Sequence, residues 1–317
     1  MKYFSKHCLT HFLNVKNFLN VKSNSVLNLF ALVLTLVVAL AWSNSVFSSP
    51  EKPLRIAVAA NFTPVLKKLL VEFHQQTSIE TQIISGATGA LFLQIMHGAP
   101  FDIFLAADSL RPKKLEQENL ILANSRQTYA LGQLALLSIN SIEAINPIKP
   151  ISLIKPINPV NPIKPIDKST DKKSNELKAQ LEKVPARFAI ANPKTAPYGR
   201  AAKQTLQHLG LWQQYQNRLI QGININQTFA QVRSQAVNSG LVANSQLVLN
   251  NLTGIIIPTS YHQPIAQQLV IIKSSDNINK AKLLSDYLLS PISQQKIINF
   301  GYASFDHNEQ EGKDDKP

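Results

Sequence analysis

Short apolar runs alternate with amphipathic stretches along most of this chain, and no other feature constrains its fold as strongly. "RIAVAA" from Arg55 reads as a strand, and "TPVLKKLLVEFHQQT" sets Val65, Leu66, Leu69, Leu70 and Phe73 on one helical face. Thr63 is its expected N-cap, with Pro64 at the first helical position. "TQIIS" is a second strand, followed by "GATG" and the helical "ALFLQIMHG". "FDIFLAA" is a third, with Asp108 capping a helix over "SLRPKKLEQEN". Further on, "FAIA" leads to a helix that starts near Tyr198 and stops with Gly210 as its C′ residue. Asn224 or Asn226 precedes the helix "QTFAQVRSQAV"; the strand "AQQLVII" and the helices "KAKLLSDYLLS" and "ISQQKIINFG" complete the series. Repeated strand–loop–helix units require parallel strands covered by helices, an α/β fold.

One tract breaks the rhythm. Between Ile145 and Glu176 the chain carries six prolines among isoleucines and lysines. Proline at that density forbids helix and central strand, which predicts an extended, solvated insertion over 144–175 with no binding role. A charged tail from Asp306 is expected to be disordered.

The other end is also distinctive. Four lysines and no acid punctuate residues 1–49, where "LFALVLTLVVALAW" (Leu29 to Trp42) precedes the small, polar "SNSVFSS". That is the n-region, h-region and cleavage-region order of a secretory signal, with cleavage placed near Ser48-Ser49. The apolar core of 14 residues falls short of the roughly 20 that span a bilayer. The single cysteine, Cys8, precedes that core, so the exported chain folds without disulfides. Of the formal charge of +13, +4 lies in residues 1–49 and another +4 in 144–175. What is left is dispersed, without an aromatic-interleaved basic run, which argues against nucleic acid as a partner.

Four strand-to-helix junctions share one design: Ala60-Asn61-Phe62, Ser85 to Gly89, Thr195 to Gly199 and Asn224 to Asn226. Each is small or amide-bearing and uncharged, and each sits where ligands bind in α/β sheets, at the carboxyl end of a strand. Helix N-termini expose unpaired N–H groups and about half a unit of positive charge, so several together make an anion site without cationic side chains. Single junctions of this kind are common caps; it is their recurrence that points to a site. "SGATGA" lacks the Lys-Ser/Thr of a phosphate loop, and no GxGxxG or GxSxG motif occurs. With no nucleophile–base pair and no metal-ligand spacing among the histidines, an enzyme and a metalloprotein are both disfavoured.

"RIAVAANFTPVLKKLLVEF", "ISGATGALFLQIMHGAPFDIFLAAD" and "ANPKTAPYGRAAKQTLQHLGLW" together resemble the periplasmic molybdate-binding proteins of ABC transporters, over about Leu54 to Ser304. The resemblance implies two α/β lobes of the type II periplasmic-binding-protein fold, joined by two crossovers, with the ligand cleft between them. It places lobe 1 at 53–131 with 259–305 and lobe 2 at 132–258. It further implies a monomer that captures molybdate or tungstate, needs no cofactor and delivers the ion to a membrane permease. By position, Asn61 and the Ala60 backbone would serve from the first loop, and Thr88, with Ser85 close by, from the second. Tyr198 would serve from the third through its N–H and hydroxyl, and the Ile225 N–H from the fourth. This chain departs from the family pattern at Ala60, where a serine or threonine hydroxyl is frequent, at Ala243, where some members place a tyrosine ligand, and at Asn238, where an acid is usual. Sulfate or phosphate as ligand remains open, as does a non-transport role for the proline-rich insertion.

Overall fold

The computed structural model describes residues 32–35, 52–138, 169–183 and 187–304. Residues 1–31, 36–51, 139–168, 184–186 and 305–317 lie outside them, so most of the expected signal, the proline-bearing part of the insertion and the expected disordered tail from 306 are not described. Two five-stranded sheets organise the described residues from 52 onward.

The first sheet runs β2-β1-β3-β10-β4, with β1 (Leu54–Ala59), β2 (Thr81–Gly86), β3 (Ile103–Leu105), β4 (Gln127–Gly132) and β10 (Ile265–Ile271). β1 is parallel to β2 and β3, while β10 runs antiparallel to β3 and β4. Successive residues of β1 point to opposite faces, and both faces are covered. Ile56 and Val58 enter a core with α1 (Thr63–Thr77) and α9 (Ile278–Leu289), whereas Ala57 packs with Leu91 and Leu115 of α2 (Thr88–Met96) and α3 (Leu110–Gln117). α10 (Pro291–Asn299) closes this half.

The second sheet runs β7-β6-β8-β5-β9, with β5 (Leu134–Ser138), β6 (Phe188–Ala191), β7 (Leu219–Gly222), β8 (Ser239–Ala243) and β9 (Ile255–Ile256). β6 is parallel to β7 and β8. Phe188 and Ile190 face α5 (Pro197–His208), and Ala189 faces Phe229 and Val232 of α7 (Ile225–Arg233). α6 (Trp212–Tyr215) and α8 (Asn244–Leu249) are short. The chain passes from the first sheet to the second at Gln133 and returns between Ile256 and Ile265.

Local details refine the expectations. The apolar face of α1 is buried as its spacing predicts, but Phe62, not Thr63, is the N-cap residue. Thr63 is a buried first-turn residue whose Oγ1 lies 2.7 Å from Ser85 Oγ. Ser109 takes the N-cap position of α3, although Asp108 still accepts the Arg111 N–H at 3.1 Å. Asn224 caps α7, its Oδ1 accepting from Asn226 N at 3.0 Å and Gln227 N at 3.1 Å. Gly210 follows α5 with φ +71°, the left-handed value a C′ glycine supplies. The proposed insertion overlaps α4 (Ser169–Glu182), a correction at its C-terminal end. The last proline of the tract is Pro165, so nothing forbids helix beyond it, and Leu177 and Leu181 are buried against Phe188 and Tyr215.

Candidate ligand-binding site

The loops that leave the parallel strands converge on one cavity, lined by Ala59–Asn61, Gly86–Thr88, Ala107, Ala196–Tyr198 and Asn224–Ile225. All four junctions singled out in the sequence contribute to it. It is small: the centres of water-sized spheres have about 10 Å³ to move in, close to the room one such sphere needs. That is too little room for a sugar or a peptide. No lining residue carries a charge at neutral pH.

Thr88, Tyr198 and Ile225 occupy the first turns of α2, α5 and α7, where N–H groups have no acceptor within their own helix. The Asn224 cap engages the next two amides of α7, which singles out Ile225 N–H at that end. Thr88 Oγ1 accepts the Ala107 N–H at 3.0 Å. A hydroxyl that accepts in this way keeps its own proton to donate.

The first loop is built differently from its expected role. Ala60 N–H donates to Gly86 O at 2.9 Å, so Ala60 offers the cavity a methyl wall. The Asn61 side chain is 1% exposed, and its Nδ2 donates to Gln267 Oε1 at 2.9 Å and to the Tyr302 hydroxyl at 3.1 Å. The Tyr302 hydroxyl in turn donates to Asn61 O at 3.2 Å. Among the described residues nothing accepts the Asn61 backbone N–H, the donor this turn leaves available. Ser85 does not line the cavity; it is exposed and pairs with Thr63.

Beneath the cavity lies a buried polar network that the sequence reading did not pick out. Gln267, fully buried in β10, accepts from Asn61 and from the Tyr129 hydroxyl at 3.1 Å, and donates to the Tyr198 hydroxyl at 3.3 Å. Phe62 packs edge-on against Tyr129 and Tyr302, with ring centroids at 4.8 and 5.6 Å. Burial, reinforced by the neighbouring Tyr302, holds the Tyr129 and Tyr198 hydroxyls well above the ordinary tyrosine pKa, so both stay protonated. Gly132 makes room for this arrangement. A Cβ there would collide with Tyr198 Oη and stand 2.8 Å from Gln267 Nε2. The available signal was "AQQLVI", two adjacent glutamines in an otherwise apolar central strand.

An uncharged cavity ringed by helix N-termini is suited to an anion. The model of the bacterial extracellular solute-binding proteins matches residues 54–303. The chain belongs to that family. Among relatives of this solute-binding protein, the molybdate-binding protein ModA of Azotobacter vinelandii is 34% identical over 272 residues, covering 84% of this chain and 96% of that protein. ModA of Rhodobacter capsulatus is 32% identical over 249 residues, 78% of this chain and 87% of that one. The solved Azotobacter vinelandii periplasmic molybdate-binding protein superposes with a TM-score of 0.65 at 30% identity, covering 80% of this chain and all of that one. The sulfate-binding protein SubI of Mycobacterium tuberculosis, 8% identical with a TM-score of 0.60 over 81% of this chain and 88% of its own, shares the fold alone.

Proposed function

We propose that this protein captures molybdate, or tungstate, outside the cytoplasm and presents it to the membrane permease of an ABC transporter. The observation that carries this reading is the small cavity at which the starts of α2, α5 and α7 and the Asn61 turn meet without a charged side chain. The donors are the backbone N–H groups of Asn61, Thr88, Tyr198 and Ile225 together with the Thr88 hydroxyl. Ala60 contributes a wall, and Ser85 supports Thr63 from outside.

A fully deprotonated tetrahedral dianion accepts hydrogen bonds at every oxygen and offers none, so a donor-only site suits it. A protonated oxyanion such as hydrogen phosphate needs an acceptor. The Thr88 hydroxyl already accepts from Ala107, the Tyr198 hydroxyl already accepts from Gln267, and no carboxylate lines the cavity. Sulfate shares the donor requirement and is set apart by size. In this reading lobe 1 comprises 53–131 with 259–305 and lobe 2 comprises 132–258. The protein acts as a monomer without cofactor, and a cleaved signal over 1–49 directs its export. Closing the lobes desolvates the ion and creates the surface a permease recognises.

A thermal-shift panel tests the proposal, with calorimetry on the ions that respond. Molybdate and tungstate should stabilise the exported chain strongly, sulfate weakly and phosphate not at all. Stabilisation by phosphate in preference to molybdate, or by none of the four, overturns it.

A further inference from the structure

Around the rim of the cavity, segments of the first sheet reach those of the second through a set of polar contacts that the ligand reading does not use. Asp108, just after β3, pairs with Arg111 of α3 on its own side. It also accepts from Arg200 Nη2 of α5, across the cleft, at 2.7 Å. Arg111 Nη2 reaches the other way to Lys194 O at 3.2 Å. Beside them Gly89 N–H, in the first turn of α2, donates to Thr195 O at 2.9 Å. A Cβ at Gly89 would lie 2.9 Å from that carbonyl and 3.2 Å from the Arg111 guanidinium, so the two sides meet backbone to backbone there.

We propose that Asp108, Arg200 and Arg111 form a clasp that fastens the two lobes over the cavity and sets how fast a captured ion escapes; this rests on the binding function proposed above. Three observations support it. The charges are placed for strength: Asp108 is 11% exposed, Arg111 13% and Arg200 32%, so the partners are partly shielded from water. The clasp is coupled to the site, because the residue before Asp108 is Ala107, whose N–H fixes the Thr88 hydroxyl. It is also open to water. A second cavity, with about 80 Å³ of room for water-sized spheres, lies beside Asp108, Arg200 and Gln204, so water can replace Arg200 when the lobes part. Asp108 keeps Arg111 on opening and is never left as an unpaired carboxylate. Two guanidiniums against one carboxylate leave the rim at +1, which favours entry of an anion.

The clasp engages only when the lobes are together, so its loss should quicken release more than it slows capture. The exported chain, wild type and Arg200→Gln, is loaded with isotopically labelled molybdate, and release into excess tungstate is followed by rapid filtration. Arg200→Gln is expected to release at least about tenfold faster, the scale of a charge-assisted hydrogen bond, with capture changed less than about threefold. Arg200→Lys should recover part of the difference. Adding Arg200→Gln to Asp108→Asn should cost much less than it does alone, the signature of a direct pair. Unchanged release in a folded Arg200→Gln, or full additivity with Asp108→Asn, overturns the clasp. Small-angle scattering of the ligand-free proteins adds a readout that does not depend on the ion, with Arg200→Gln expected to be more expanded. If the wild type binds neither ion, the binding function fails, and equal radii of gyration for wild type and variant then overturn the clasp by themselves.

Discussion

Thr88→Val is the sharpest perturbation of the site, because it removes one oxygen and keeps the shape. In the wild type that oxygen accepts the Ala107 N–H at 3.0 Å, and in the proposed function its proton is donated to the ion. Losing a hydrogen bond to a charged group costs about 1.5–3 kcal/mol, which weakens binding roughly 10- to 150-fold at about 1.4 kcal/mol per decade. The Ala107 N–H loses its acceptor at a residue only 2% exposed. That penalty, about 1–3 kcal/mol, falls on the stability of the empty protein and is read separately by urea denaturation. Thr88→Ser keeps both hydrogen bonds and should bind within a few-fold of wild type, a control that separates the hydroxyl from the methyl. Titration calorimetry with molybdate, on protein shown to be folded by circular dichroism, measures the effect. Equal affinity in Thr88→Val and wild type would refute the assignment of this hydroxyl as a ligand donor.

Other expectations follow from the same contacts. Gln267→Leu removes partners from Asn61, Tyr129 and Tyr198 at once and should destabilise the fold by about 3 kcal/mol or more, seen as a lower urea midpoint; a loss under about 1 kcal/mol would mean the network is not structural. Gly132→Ala places a methyl against Tyr198 Oη and Gln267 Nε2, and overpacking of this kind costs about 1–3 kcal/mol, measurable as a drop in Tm. Ser85→Ala should leave molybdate affinity within about twofold, since Ser85 bonds Thr63 outside the cavity; a tenfold loss would bring Ser85 back into the site. His262 is 8% exposed and burial lowers its pKa, against a partly opposing bond to the Gln263 carbonyl. The unfolded chain therefore takes up that proton first as pH falls, so this contribution to stability is full above about pH 6.5 and declines below it. His262→Gln should flatten the fall of Tm between pH 7 and 5, and an unaltered slope would show that other groups govern acid sensitivity.

The α/β class and the four junctions were legible because they depend on local chemistry. The apolar spacing of α1, the glycine after α5 and an asparagine ahead of α7 each act within a turn or two of chain. Helix starts were legible to within a residue, since Phe62 and Ser109 take positions where Thr63 and Asp108 stand adjacent. The helical end of the proline tract was missed because composition averaged over 144–175 hides that no proline follows Pro165.

What no local pattern supplies is the direction in which a polar side chain at the cavity wall is drawn. Asn61 is the one amide in "AANF", and beside an anion site it invites the role of ligand. Its fate depends on Gln267 and Tyr302, separated from it by 206 and 241 residues, which take both amide hydrogens into the floor of the cavity. The consequence is testable through Asn61→Asp. A carboxylate there would lose both donors, face the Gln267 carbonyl oxygen and introduce a negative charge at a site 1% exposed. If Asn61 acts as a floor support, this substitution should lower the stability of the empty protein by about 3 kcal/mol or more, before any ion is added. If the amide were a direct ligand, stability would change little and only affinity would collapse. Denaturation of the ion-free variant separates the two, and a wild-type midpoint would return the Asn61 side chain to the ligand set.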